Sequence, residues 1–318
     1  MNLTRRLSLR SVATVALLCS AGGGVLTALP SLSRGQPGRV NARIVAGVEG
    51  IARAEGQSGS RDFDLTCNYG GQASSPYNYI AGGTPSTTQY INGPGLWCLT
   101  GELSWSSSGA PIEVTSNAIG AIIDLNGYAI RCTSTTCQVT SASNGETGVG
   151  DGIFLQGGNH LQVQNGMIQG FGNGLWFGGT TSAMAPTNVL VKDVFVSGYG
   201  VYGSIGAHIW WGSNINFEGC EFMDLPGYGI WADEINGNYT IHDNLFHMHS
   251  GIDVELNLVM SGTSGYALVD NNLFMGGGSA IDCSSGSNVK WVNNTQRGTT
   301  NAYANCASSW TDSTGTNK

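Results

Sequence analysis

The apolar residues of this chain fall into short runs that recur every 22 to 29 residues between positions 153 and 281. Each repeat opens with a run in which apolar residues alternate with other residues, and six such runs begin at Ile153, Leu175, Val201, Ile230, Ile252 and Ile281. A second apolar run follows, then a turn of Asn, Asp or Gly, and then a third apolar position in most repeats. Alternation with a period of two is typical of β-strands, so the pattern predicts three short strands per repeat.

Such a repeat predicts an all-β fold, a single-stranded parallel β-helix in which every repeat forms one coil of a solenoid. Successive coils would stack about 4.8 Å apart, with alternate residues pointing into the interior or outward. Asn and Asp suit the turns because they tolerate a left-handed backbone, and stacked Asn side chains form hydrogen-bonded ladders. The competing all-β fold, an antiparallel sandwich, does not predict a repeating unit of three strands.

Three segments carry a resemblance to a known family, and they are Ala121–Ile130, Gly152–Gly157 and Leu161–Phe171. They resemble the right-handed parallel β-helix (pectate-lyase-like) superfamily, and the resemblance covers residues 90–300. That superfamily includes polysaccharide lyases, glycoside hydrolases, uronan epimerases, phage tailspikes and members without known activity. The resemblance therefore implies the fold and a link to carbohydrate without a particular reaction. The motifs of polygalacturonases and uronan epimerases are missing apart from isolated residues such as Asp253, so neither activity carries over.

The N-terminus has the pattern of an export signal, with Arg5, Arg6 and Arg10 around the start of an uncharged stretch that runs to Pro30. We therefore expect a secreted or periplasmic protein. An uncleaved membrane anchor at the same place is the alternative, and it is the one membrane contact that the sequence predicts. The predicted organisation is a signal at 1–30, a linker or pro-segment at 31–61, a β-helix with an N-terminal cap at 62–307 and a loose tail at 308–318.

The composition fits many short strands and tight turns, since Gly occurs 49 times and charged residues make up only 11%. From Asp62 onward there are 19 acidic residues and five basic ones, and this net charge of −14 disfavours nucleic acid as a partner. Export permits disulfides among the seven cysteines beyond the signal. The expected disulfides are Cys132–Cys137, Cys67–Cys98 and Cys283–Cys306. They leave Cys220 as a buried thiol. The alternative is that every thiol is reduced.

Aligning the first strands of the coils places one residue of each coil on an outward row, which reads Phe154, Trp176, Tyr202, Trp231, Asp253 and Asp282. The three residues Trp176, Tyr202 and Trp231 would form an aromatic platform for the pyranose rings of a polysaccharide or other glycan. Beside it would lie four carboxylates, close enough together to raise a pKa or to require a cation such as Ca²⁺: Asp233, Asp253, Glu255 and Asp282.

The same carboxylates fit three kinds of protein. In a glycoside hydrolase, Asp253 with Asp282, or Asp233 with Glu255, would have the spacing of a retaining pair, and Asp253 with Glu255 would be nearer the inverting distance. A lyase would neutralise a uronate through Ca²⁺ and would need His249 as its base, because Lys and Arg are scarce. A non-catalytic envelope or adhesion protein would bind glycan or Ca²⁺ on the same row.

Two features of the predicted site have an alternative interpretation. The connection that follows the first strand is longer in three coils, and these loops carry His208, Trp210 and Trp211. They would either form one wall of a groove or cover the aromatic row. In the functional interpretation, His249 and His247 would bind a metal or supply a base. In the alternative, both are ordinary exposed turn residues.

Overall fold

The structure is a computed structural model of the chain, and it describes residues 67, 78–138, 150–178, 185–198, 204–232, 238–248, 254–258, 266–282, 288–299, 301–304 and 311–312. Contacts between Cα atoms divide the chain into Met1–Asp64 and Leu65–Lys318, and every described residue belongs to the second unit. The predicted signal and linker therefore lie outside the described residues. In the part of the chain that is described, no helix is both long enough and apolar enough to cross a bilayer.

Two parallel sheets contain the strands of the described unit. The nine-stranded sheet consists, in spatial order, of β2 (Gln89–Ile91), β5 (Ile112–Val114), β8 (Asp151–Leu155), β10 (Asn173–Phe177), β12 (Ile205–Ile209), β15 (Tyr228–Ala232), β18 (Val254–Leu258), β21 (Ser279–Asp282) and β24 (Asn301–Ala304). The main path of the sixteen-stranded sheet consists of β1 (Asn78–Ile80), β3 (Gly95–Leu99), β6 (Ala121–Asp124), β9 (Asn159–Gln169), β11 (Thr187–Ser197), β13 (Ser213–Glu218), β16 (Asn238–His242), β19 (Tyr266–Asp270), β22 (Asn288–Val292) and β25 (Thr311–Asp312). Six further strands of that sheet lie beside this path: β4 (Leu103–Trp105), β7 (Ala129–Cys132), β14 (Glu221–Met223), β17 (Leu245–Met248), β20 (Leu273–Gly276) and β23 (Thr295–Arg297).

The order of the strands is that of a β-helix. Each strand pairs in parallel with the equivalent strand of the preceding and following coils, as β10 does with β8 and β12. The long strands β9 and β11 pair with two strands on one side, and each contains a left-handed residue, Asn165 or Asp193. The sixteen-stranded sheet thus turns a corner and supplies two walls of the solenoid, and the nine-stranded sheet supplies the third. The predicted parallel β-helix with three strands per coil is confirmed.

The register of the nine-stranded sheet differs from the prediction in two coils. Trp176 lies opposite His208, which lies opposite Trp231, so His208 occupies the place predicted for Tyr202. Trp231 lies opposite Asn257, which lies opposite Asp282, so Asn257 occupies the place predicted for Asp253. Residues 202 and 253 themselves lie outside the described residues.

The physical reason for the first difference is the residue that follows the outward position. In β8, β10 and β12 that residue is Leu155, Phe177 or Ile209, and each is fully buried in the core. A strand at Gly200-Val201-Tyr202 would place Gly203 there, which has no side chain to fill the interior. The alternation Val254-Glu255-Leu256-Asn257-Leu258 likewise supplies two aliphatic residues at the positions that pair with Ile230 and Ala232.

Stacked polar and aromatic side chains continue from coil to coil inside the solenoid. Asn244, Asn272 and Asn294 form the predicted ladder, in which each side chain bonds to the next and to backbone groups of neighbouring coils. Cys220 takes the first position of this Asn column, where its backbone N–H donates to Asn244 Oδ1.

An aromatic stack also continues through the interior. Phe222, Phe246 and Phe274 stack with ring centroids 5.0 and 4.8 Å apart, and Trp291 follows at 5.1 Å.

The structure bears out two of the three disulfides. Cys67–Cys98 and Cys132–Cys137 are formed, with Cα separations of 6.0 and 5.8 Å. Cys220 is buried and not disulfide-bonded, as predicted. The third pair, Cys283–Cys306, falls outside the described residues. The first bond fixes Cys67 beside β3 in the first coils.

Candidate functional site

One outward row runs along the nine-stranded sheet and contains most of its exposed or chemically active side chains. In register from coil to coil it reads Tyr90, Glu113, Phe154, Trp176, His208, Trp231, Asn257 and Asp282. Its centre is aromatic and its flanks are acidic. From Phe154 onward the row again begins with rings, but only Asp282 of its two predicted acidic positions holds a carboxylate, because Asn257 takes the place predicted for Asp253. Glu113 adds a carboxylate on the other flank.

The aromatic centre is a continuous stack of rings. The His208 ring lies edge-on to Trp176 at 4.4 Å and parallel to Trp231 at 4.6 Å, with an angle of 6° between the second pair of planes. Tyr228, three residues before Trp231 on β15, adds a further ring at 4.9 Å. Trp210, directly after β12, lies edge-on to His208 at 6.4 Å. These contacts hold Trp231 and Tyr228 against a rigid backing.

Burial divides this row into a covered centre and two more accessible ends, one of which holds Tyr90, 54% exposed, and the half-buried Glu113. Phe154, Trp176 and His208 are 6%, 1% and 1% exposed, and Trp176 packs with Phe154, Ala110 and Trp210. The prediction that Trp176 is an exposed part of a platform is therefore wrong, because Trp210 packs over it. From Trp231 onward the row opens, and Trp231, Tyr228 and Asp282 are all half-buried. The covered-face alternative therefore holds for Phe154, Trp176 and His208, and the groove stays a prediction.

The structure describes only some of the predicted carboxylates. Asp282 is half-buried at the end of β21, and its register partner is Asn257 instead of the predicted Asp253. Glu255 lies on β18 between the partners of Tyr228 and Ile230, so Gly229 and not Asp233 is its neighbour on β15. The backbone alone is described at Glu255, and Asp233, His249 and Asp253 fall outside the described residues. In the ranges that the structure describes, no three His, Cys, Asp or Glu side chains group as a metal site.

Two charged features complete the electrostatics. Glu113, on the other flank of the aromatic centre, is half-buried, and this burial raises the pKa of its carboxyl group. Lys192 lies in the sixteen-stranded sheet, where it pairs with Glu218 at 2.9 Å, and Lys290 lies in the same sheet. Both lysines are therefore on other walls of the solenoid than the aromatic row.

Sequence reasoning missed Glu113, Tyr228 and the position of His208. A five-residue sequence pattern could have placed His208 on this row. In this pattern any residue is followed by Gly, an aliphatic residue, a residue with a ring and an apolar residue. It occurs as Asp151–Leu155, Asn173–Phe177, Ile205–Ile209 and Tyr228–Ala232. The Gly in this pattern is required because a Cβ on Gly152 or Gly174 would come within 2.6 Å of the carbonyl oxygen of Gly174 or Gly206 in the next coil.

The arrangement can bind a ligand that has both an apolar face and hydroxyl groups. Half-exposed Trp and Tyr rings offer flat apolar surfaces, and their N–H and O–H groups donate hydrogen bonds at the edges. Asp282, two strands or about 9.6 Å from Trp231, offers a carboxylate that accepts hydrogen bonds from hydroxyl groups.

Comparison with known proteins identifies the class. Residues 120–296, more than half of the chain, match the family described as the right handed beta helix region. The chain therefore belongs to this family, and the right-handed parallel β-helix expected from the sequence is confirmed. No curated protein is similar to the chain in sequence.

Two solved structures are similar to parts of the chain at low sequence identity. The tailspike protein gp49 of Acinetobacter baumannii bacteriophage Fri1, a capsular polysaccharide depolymerase, matches 75% of this chain with 13% identity and a TM-score of 0.35. This chain covers 49% of that tailspike. The Streptococcus pneumoniae surface protein and adhesin PfbA matches 73% of this chain, and 91% of PfbA is covered, with 9% identity and a TM-score of 0.33.

Proposed function

We propose that this protein is an exported carbohydrate-binding β-helix that holds a polysaccharide against the open end of its aromatic row. The observation that carries the proposal is the half-buried pair Trp231 and Tyr228, whose ring centroids are 4.9 Å apart, backed by the buried His208 ring. The part of these rings that stays accessible to water is an apolar surface that a ligand can cover. A sugar ring covers it with its C–H face and leaves its hydroxyl groups to polar neighbours.

The rigid backing favours binding because little conformational freedom is lost when the ligand arrives. The parallel stack of His208 on Trp231 limits the rotamers of the tryptophan before any ligand is present. Side chains on a strand wall are also held more firmly than those on loops. The same stacking would align successive sugar units with the direction of the coils.

The charge of the chain favours a neutral polysaccharide. From Asp62 onward, 19 acidic residues outnumber five basic ones, and this negative charge repels a polyanion. Lys192 and Lys290 lie in the sixteen-stranded sheet and not on the wall of the aromatic row. A uronate polymer would need cations at the site. Calcium held by Asp233, Asp253, Glu255 and Asp282 would supply them, and this site stays a prediction.

The test replaces Trp231 with alanine and measures binding to a panel of neutral and uronate polysaccharides by calorimetry. Loss of the ring removes the stacking surface, so the Kd for a bound neutral glycan should rise roughly tenfold, about 1.4 kcal/mol. Tyr266→Ala is the matched control, because Tyr266 is an exposed aromatic on β19, in the other sheet. Unchanged binding in Trp231→Ala, or an equal loss in Tyr266→Ala, would contradict the proposal.

Cleavage of the bound polysaccharide is the second candidate function, and the half-buried Asp282 near Trp231 favours it. A hydrolase needs a second carboxylate, for which Asp253, Asp233 and Glu255 are the sequence-based candidates. New reducing ends in the same panel would reveal hydrolysis, and unsaturated uronate products would reveal a lyase with His249 as its base. An activity that survives in both Asp282→Asn and Asp253→Asn would rule out this assignment.

A further inference from the structure

Asp151 and Asn173 form a buried polar pair at the first positions of β8 and β10. They are 1% and 0% exposed and lie directly opposite each other in the register of the nine-stranded sheet. Asn173 Nδ2 donates a hydrogen bond to Asp151 Oδ1 at 2.8 Å. The next residue in the same row is the buried Ile205, so the pair is enclosed by apolar side chains on that side.

Among the residues that the structure describes, one oxygen of each side chain has no hydrogen-bond partner. These oxygens are Asp151 Oδ2 and Asn173 Oδ1, and both are buried. If Asp151 were ionised, both atoms would be acceptors, and neither could satisfy the other. Buried polar atoms without partners are rare in folded proteins because they lose their water without any replacement.

The charged groups of the neighbouring strands do not compensate a negative charge on Asp151. Among the described residues, the ionisable side chains on β5, β7, β9 and β12 are Glu113, Arg131, His160 and His208. Glu113 and His208 belong to the outward row, and Arg131 pairs at the surface with Glu102 at 3.2 Å. His160 is exposed to solvent.

We propose that Asp151 carries a proton in the folded protein and donates it from Oδ2 to Asn173 Oδ1. The carboxylic acid and the carboxamide then form a ring of two hydrogen bonds, and a single proton satisfies both buried oxygens. Burial raises the pKa of Asp151 to about 7, while the hydrogen bond from Asn173 acts in the opposite direction. The bonding between the first residues of β8 and β10, and with it the stability of the fold, therefore depends on pH.

The sign of the effect follows from the two pKa values. The ordinary pKa of the group is 3.8, and in the folded protein it is about 7. Below the lower value, both states hold the proton and pH has no effect through this group. Between the two values, unfolding releases the proton, so the unfolding equilibrium constant rises up to tenfold per pH unit. Above the higher value, neither state holds the proton and the dependence ends.

The experiment compares chemical unfolding of the wild-type chain with that of Asp151→Asn at about pH 5 and about pH 8. Asparagine keeps the shape of the side chain and always presents N–H to Asn173 Oδ1. The unfolding constant of the wild type, relative to that of Asp151→Asn, should therefore rise about 100-fold from the lower to the higher pH. The variant should be the more stable protein at the higher pH.

Asp124 provides the matched control, because it is also buried but is surrounded by donors. Its oxygens accept hydrogen bonds from Asn126 N at 2.7 Å, Asn165 Nδ2 at 3.1 Å and Gln164 Nε2 at 3.2 Å. Asp124→Asn places an N–H group against these donors and should destabilise the chain at both pH values. If Asp151→Asn behaves in the same way, with an equal loss at both pH values, the proposal is wrong.

A second measurement needs no variant. In the wild-type chain labelled with ¹³C at aspartate carboxyl carbons, one carboxyl should remain protonated at about pH 5.5 and lose its proton near pH 7. A spectrum in which every aspartate is ionised at about pH 5.5 would overturn the proposal, whether or not Asp151→Asn folds.

Discussion

At the scale of single residues, the molecule depends on polar side chains that are buried and fully bonded. Asn272 is the central example, since its Nδ2 donates to Ile241 O and to Asn294 Oδ1, and its Oδ1 accepts from the Asn244 backbone. One side chain therefore satisfies two backbone groups of the preceding coil and bonds to the side chain of the following one. Buried polar groups of this kind stabilise a fold only while every member keeps its partners.

Replacing Asn272 with alanine should destabilise the protein by about 2–4 kcal/mol, because the Asn244 N–H and the Ile241 carbonyl lose their partner inside the core. Urea unfolding measures the change. Asn216→Ala is the control, because Asn216 is exposed on β13 and should change stability by less than about 0.5 kcal/mol. Similar losses in the two variants would show that the buried ladder contributes no more than a surface amide.

At the scale of the strand, the register depends on a column of glycines. Gly152, Gly174, Gly206 and Gly229 occupy the second position of four successive strands in the nine-stranded sheet. A Cβ on Gly174 would clash with Val196 and with Gly206 O, the latter at 2.6 Å. The column therefore permits the close approach that places the following residues on the inward and outward rows.

Gly174→Ala should destabilise the chain by about 1–3 kcal/mol, because β10 and β12 must move apart to accept the methyl group. The shift should also disturb the Trp176–His208 contact, and the change in tryptophan fluorescence would report it. Gly101→Ala is the control, because a Cβ there meets no atom within 4 Å. A Gly174→Ala protein with wild-type stability and fluorescence would show that the strands tolerate the extra volume.

At the scale of the whole molecule, each coil contacts only its neighbours, so stability should decrease toward an end of the solenoid. Among the described strands, β3 is the one partner of β1, and Tyr79 on β1 is 58% exposed. The central strand β11 pairs with strands on both sides and contributes Val189 and Val191 to the core.

We therefore expect native-state amide exchange to be at least about tenfold faster in β1 than in β11. Exchange measured residue by residue tests this, with β3 as an internal reference because it pairs on both sides. Equal protection in β1 and β11 would mean that the described coils open together as one cooperative unit.

Features that arise from short-range patterns were predictable from the amino-acid sequence alone. Alternation of apolar residues specified the strands, and Asn or Asp in left-handed positions such as Asn165 and Asp243 specified the turns. The repeat of three strands specified the coil, and the short loop between Cys132 and Cys137 indicated the disulfide that the structure contains. These features follow from the chain within about one repeat, and a neighbouring coil is not needed to read them.

Which of two alternating segments forms the strand of the wall depends on contacts between coils. Gly200-Val201-Tyr202 and Gly206-Ala207-His208 both alternate, but only the second supplies an apolar residue, Ile209, to the interior beside Phe177. The burial of Trp176 depends on Trp210, and the hydrogen bond from Asn173 Nδ2 to Asp151 Oδ1 forms only after two coils stack. These properties depend on which residues meet across coils, and the period of a single strand does not contain that information.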